Sequence, residues 1–100
     1  MRSVYPRYSE DMSKTQFIKM LQQEGYPEPV EVQREPNGHL DDHTHPFEVK
    51  ALILEGAIEL IIHGSTKTYE SGDIFHLGLE EVHAETYGPQ GVRYLAARKQ

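Results

Sequence analysis

The chain contains no cysteine. That excludes disulfide braces, thiolate metal ligands and thiol nucleophiles. No apolar run approaches the roughly 20 residues that a helix needs to span a bilayer. The opening Met1-Arg2-Ser3-Val4-Tyr5-Pro6 has no apolar core behind its charge, so it does not read as a secretion signal. Basic residues are the minority, ten against sixteen acidic, for a formal charge of −6. A phosphate backbone or an anionic membrane surface is repelled on average by that balance. The expectation is a cytoplasmic protein with neither nucleic acid nor membrane as partner. Also missing are a glycine-rich phosphate loop, a spacing that argues for a Ser-His-Asp triad and a close acid pair of glycosidase type. There is no low-complexity segment and no convincing repeat.

At 100 residues, the chain has room for one cored domain and not two. So small a chain buries a modest fraction of its surface and gains from a partner subunit, which makes a homodimer the expected assembly. Residues 1–12 show no period and read as an irregular arm. From Ser13, a capping-box pair with Gln16 and a stripe of Phe17, Ile18, Met20 and Leu21, stopped by Gly25, predict a helix. At barely three turns it needs something to pack on, a sheet or a second subunit.

After Pro27 and Pro29 the period falls to two. Val30 and Val32 alternate with Glu31 and Gln33, and "EPNG" at 35–38 turns the chain. Short extended segments follow at 39–45, 49–55, 57–63, 66–70, 73–77, 82–87 and 91–97, with breaks at Gly56, "HGS" 63–65, "SGD" 71–73 and "YGPQG" 87–91. Closely spaced strands without crossover helices predict an antiparallel sandwich or barrel. The division expected is an arm and helix over 1–28 and an all-β barrel over 29–100.

The most chemically loaded stretch is "DDHTHPFE" at 41–48. On an extended strand His43 and His45 share a face, about 6.5–7 Å apart along the chain. Two imidazoles suit zinc, iron, nickel, copper or manganese at roughly 2.1 Å, but a firm site needs a third ligand and preferably a carboxylate. Glu48 is near in sequence and His83 is available from a later strand. The bland alternative is a solvent-facing strand that happens to carry histidines. His76 has two readings, a pocket-facing side chain or an interstrand surface contact. His39 and His63 read as solvated. Asp41 and Asp42 are either orienting partners for an imidazole or solvated carboxylates. Phe47, Tyr69, Tyr87 and Tyr94 are core or pocket wall.

"HTHPFEVKALILEG" at 43–56 followed by "GDIFHLGLEEVHAE" at 72–85 resembles the two motifs of the cupin superfamily. His43, His45, Pro46 and Gly56 match the first motif, and Gly72, Asp73 and His83 match the second. Glu48 follows His45 after only two residues, and counting back from Gly56 puts Val49 where the family's Glu usually stands. The usual Pro-x-Gly is replaced by "LGLEEV" at 77–82. The resemblance implies an all-β double-stranded β-helix, or RmlC-like jelly-roll barrel, with a short N-terminal helix. It further implies a divalent metal (zinc, iron, nickel or manganese) on His43, His45 and His83, with Glu48 as fourth ligand or, should it turn outward, a three-histidine site. The implied partner is a small organic molecule. The implied chemistry is of metal-dependent dioxygenase or isomerase type; the alternative is a metal-free barrel that holds or senses a small ligand without catalysis.

Overall fold

Pro6 sits well in the first turn of a helix, where its missing N–H has no intrahelical partner to lose. In the computed structural model, which describes residues 5–100 with side chains from Lys14 onward, helix α1 runs Tyr5–Gln23. The irregular arm expected over 1–12 is therefore helical from Tyr5, and residues 1–4 lie outside the described residues. Ser13 and Gln16 are mid-helix, so their spacing does not mark its start. Gly25, at φ 81°, ends it as expected, with the Tyr26 N–H closing back on the Leu21 carbonyl.

Six strands follow, β1 Val30–Arg34, β2 His39–His43, β3 Glu48–Ile62, β4 Ser65–Glu70, β5 Ile74–Leu77 and β6 His83–Lys99. Two expected breaks are not breaks. β3 runs through Gly56 and β6 through Gly91, and the two long strands pair antiparallel along most of their length. A Cβ on Gly56 would lie 2.0 Å from the Gly91 carbonyl oxygen, and both glycines have positive φ. Only glycine lets the two backbones cross so closely, so these positions bend the strands where a turn was expected.

The bend has a consequence for every side chain beyond it. Val49, Ala51 and Ile53 point into the core before Gly56, whereas Ile58 and Leu60 do so after it; on β6 the inward set changes from Tyr87 to Val92, Tyr94 and Ala96. The inward parity flips on both strands, as one inserted residue requires. The halves also take different neighbours. The first half of β3 and second half of β6 pair with β5 and β1, and the other halves pair with β4 and β2. Two antiparallel layers thus share one pair of bent strands and enclose one apolar core, a jelly roll with the alternate face of each strand turned outward.

On the outer face of the first layer Leu52, Leu54 and Ala97 meet Phe17, Leu21 and Tyr26. Phe17 is 0% and Leu21 1% exposed, so the sheet covers that part of the helix stripe, while Ile18 stays 37% exposed. The hairpin at His63-Gly64, φ 50° and 80°, has the positive-φ pair of a two-residue type I′ turn between β3 and β4. The "EPNG" turn closes with the Gly38 N–H on the Glu35 carbonyl.

Candidate metal centre

β2 lies antiparallel to the first half of β6 with His43 opposite His83, after an irregularity between Leu40 and His43. Cross-strand partners are within a few ångströms by construction, and the two imidazole centroids are 4.2 Å apart. His45, two residues on, brings its ring to 5.1 Å from His43 and 5.2 Å from His83. Glu85 follows His83 by two positions on a strand, so it faces the same way. His43, His45, His83 and Glu85 each offer a donor atom, and all four lie within 4.8 Å of one another.

Backbone carbonyls fix which nitrogens point inward. His43 Nδ1 donates to the Asp41 carbonyl at 2.7 Å, and His83 Nδ1 donates to the Glu81 carbonyl at 2.9 Å. A neutral imidazole whose Nδ1 carries the proton has its lone pair on Nε2. Both Nε2 atoms face Glu85 Oε2, at 3.4 Å from His43 and 3.3 Å from His83. Lone pairs from three acceptors thus converge. His83 is 0% exposed and its Nε2 makes no hydrogen bond; the 3.3 Å approach to Glu85 is an ion-pair distance without hydrogen-bond geometry. A buried polar atom left so is costly unless a cation or a proton sits among the acceptors.

The separations fit an ion. Donors 2.1 Å from one ion are roughly 3.0–3.4 Å from each other between octahedral and tetrahedral angles, and the separations of Glu85 Oε2 from the two Nε2 atoms, 3.4 and 3.3 Å, lie in that range. Burial, reinforced by the neighbouring His83 and His43, holds His45 below the ordinary imidazole value, which favours the neutral, ligating form. His45 stacks on Phe47 with the planes 13° apart. Tyr87 donates its hydroxyl to Glu85 Oε1 at 2.8 Å, leaving Oε2 for the centre. Burial first, then that bond and the charge of Glu85, push the Tyr87 phenol well above its usual value, so it remains a donor. Gly38 makes room for this ring: a Cβ there would meet Tyr87 Cδ2 at 2.9 Å.

The structure brings together three of the four residues expected from the sequence and leaves Glu48 outside. Glu48 begins β3 and accepts a hydrogen bond from His76 Nε2 at 3.0 Å on the surface. Val49, where the motif's carboxylate usually stands, is buried in the apolar core. Glu85 occupies the group instead, and the signal for it was present: His83-Ala84-Glu85 is the same i, i+2 pattern that pairs His43 with His45. His76 takes its surface reading. Asp41 orients His43 through its backbone carbonyl, while its carboxylate contacts His39 at 3.0 Å. Phe47 and Tyr94 line the cavity beside the centre; Tyr69 packs on the core.

That cavity, about 90 Å³, lies inside the jelly roll and is walled by Val32, Val49, Phe75, Leu77, Tyr94 and Ala96, with His43, His45 and Glu85 exposed to it. No protein-family model and no curated protein matches the sequence. Solved structures do match. An RmlC-like cupin from Shewanella frigidimarina superposes with a TM-score of 0.62 over 71% of this chain and 63% of its own, at 18% identity. KdgF from Halomonas sp. gives 0.60 over 74% of this chain and 71% of its own, at 17% identity. The DMSP lyase DddQ from Ruegeria pomeroyi gives 0.64 over 70% of this chain at 21% identity, and there the match spans only 36% of the longer protein. The chain thus spans less than two thirds of the Shewanella cupin. Its bent, double-layered barrel is the cupin fold, the double-stranded β-helix that the motifs at 43–56 and 72–85 resemble.

Proposed function

We propose that the protein binds one divalent transition metal, zinc, iron, nickel or manganese, through His43, His45, His83 and Glu85, and admits a small organic ligand beside it. The observation that carries this reading is the buried Nε2 of His83, held inward by the Glu81 carbonyl and given no hydrogen bond of its own. Glu85 takes the carboxylate role that the sequence offered to Glu48. When bound, the metal would supply Lewis-acid polarisation of an oxygen on the ligand. Three imidazoles and one carboxylate leave coordination positions vacant on an ion that accepts five or six ligands, which oxygenase or isomerase chemistry requires. His45 and Phe47 form one wall of the ligand space, and Tyr87 holds the carboxylate in place. The non-catalytic alternative keeps the same barrel with no ion in it.

Elemental analysis of protein purified without a histidine tag separates the two. The proposal expects close to one transition-metal ion per chain after loading and dialysis; a chain that retains none supports the metal-free barrel.

The homodimer stays a proposal, and the strands add a ground to the exposed Ile18 of the helix. Among the described residues β1 is an edge strand paired with β6 alone, and its Val30 is 55% exposed. Sedimentation at micromolar concentration should give the mass of two chains, and a monomer would reject this. Among the described residues no helix is long and apolar enough to cross a membrane; a cytoplasmic location, and a single barrel domain over 29–100 preceded by its helix, belong to the same proposal.

A further inference from the structure

Two guanidinium groups border the metal cavity, Arg34 at the end of β1 and Arg98 near the end of β6. The chain has six more acids than bases, yet neither arginine has a carboxylate partner among the described residues. Arg93, by contrast, contacts both Glu31 and Glu55. Each cavity arginine is held by an aromatic residue of the cavity. Arg98 lies 4.9 Å over Phe47, which stacks on His45, and Arg34 lies against the hydroxyl of Tyr94, a wall of the cavity. The stacking fixes the Arg98 guanidinium without using its hydrogen-bond donors, and Arg34 spends one donor on the Tyr94 hydroxyl and keeps the others.

The charges can be summed for the cavity alone. Arg34 and Arg98 contribute +2 and Glu85 −1, leaving +1, or +3 once a divalent ion is present. The rest of the molecule carries the opposite sign, so the cavity is a positive spot on an acidic protein. Its volume, about 90 Å³, lies well below the roughly 300 Å³ and more of a drug-sized ligand's pocket, so it suits a small ligand. Val32, Val49, Phe75, Leu77 and Ala96 supply apolar walls. A ligand that answers to all of this is small, has one anionic head with planar oxygens to meet a guanidinium fork, and has a short aliphatic body.

We infer that Arg34 and Arg98 form an anion gate that selects a small aliphatic carboxylate for the metal cavity. The inference rests on the metal reading for the full charge of the site, but the gate keeps a net positive charge without the ion. The two can therefore fail separately.

The test is a calorimetric titration of propionate, propionamide and inorganic phosphate into zinc-loaded and metal-free protein, repeated with Arg34→Gln and Arg98→Gln. Propionate should bind the zinc-loaded form, with propionamide at least about tenfold weaker because it lacks the charge. Phosphate should bind less well than propionate because it offers nothing to the apolar walls. Each glutamine substitution should weaken propionate by about tenfold and leave zinc affinity unchanged. Arg34→Lys and Arg98→Lys, which keep the charge and lose the fork, should fall between. If no zinc binds but propionate still does, through both arginines, the metal reading fails and the gate stands. If zinc binds and propionate does not, or binds no better than propionamide, or is indifferent to both glutamines, the gate is overturned. Phosphate binding as tightly as propionate overturns the selection for an aliphatic acid.

Discussion

Two of the groupings of histidine and carboxylate among the described residues differ in almost everything except residue type. His76 and Glu48 meet at 3.0 Å on the surface as a donor and an acceptor, and each satisfies the other. His43, His83 and Glu85 meet at similar distances, but there the histidine N–H groups are already spent on backbone carbonyls and the inward atoms are all acceptors. A His–Glu contact is thus no sign of a metal site in itself. What distinguishes the buried group is an excess of lone pairs with no donor among them, in a place water reaches poorly. The surface pair is complete as it stands; the buried group is the one that a cation would complete.

The contrast can be broken by substitution. His83→Ala removes the fully buried nitrogen and should lower zinc affinity by at least about a hundredfold, beyond the range of outer-shell changes, as read by competition with a chromophoric chelator. Glu85→Gln keeps shape but removes charge and should fall between roughly tenfold and a hundredfold in the same assay. Tyr87→Phe leaves Glu85 Oε1 without its donor and should weaken zinc by about tenfold, with a loss of stability of about 1.5 kcal/mol or more in urea unfolding, since the bond is to a buried charge.

The surface pair should show the smallest effects. Glu48→Gln should leave zinc affinity where it was. Its consequence is confined to acid: the hydrogen bond from His76 holds the Glu48 carboxyl below its ordinary value. A carboxyl depressed in the folded state adds stability above its unfolded pKa of about 4.3 and loses it as pH falls through the folded value. Glu48→Gln should therefore be slightly less acid-sensitive than the parent below that pH, measured by thermal unfolding across a pH series. A loss of zinc affinity in this variant would reverse the assignment of the two carboxylates.

The order of strands was legible because alternation and turn residues are local. "EPNG" and the His63-Gly64 hairpin fall where the sequence put them. The continuity of β3 and β6 was not, since glycine reads as a turn unless the strand packed against it is known, and Gly56 and Gly91 explain each other only in three dimensions. The helix start was hidden by the lack of apolar period around Pro6. At the centre, His43, His45 and His83 were recoverable from motif order, whereas the pairing of His43 with His83 depends on a cross-strand register 40 residues apart in sequence. Glu48 drew attention by proximity to His45. Glu85 stood two residues beyond His83 in full view, and the same-face rule applied to β2 would have named it.

The central claim is that the buried acceptors, and not the surface pair, hold the ion. It is met most directly by an anomalous difference map at the zinc edge from crystals of the zinc-loaded protein. The account predicts one peak per chain within about 2.0–2.2 Å of the Nε2 atoms of His43 and His83 and of a Glu85 oxygen, with His45 completing the set. A peak lying between Glu48 and His76, or no peak inside the barrel at full zinc loading, would contradict it.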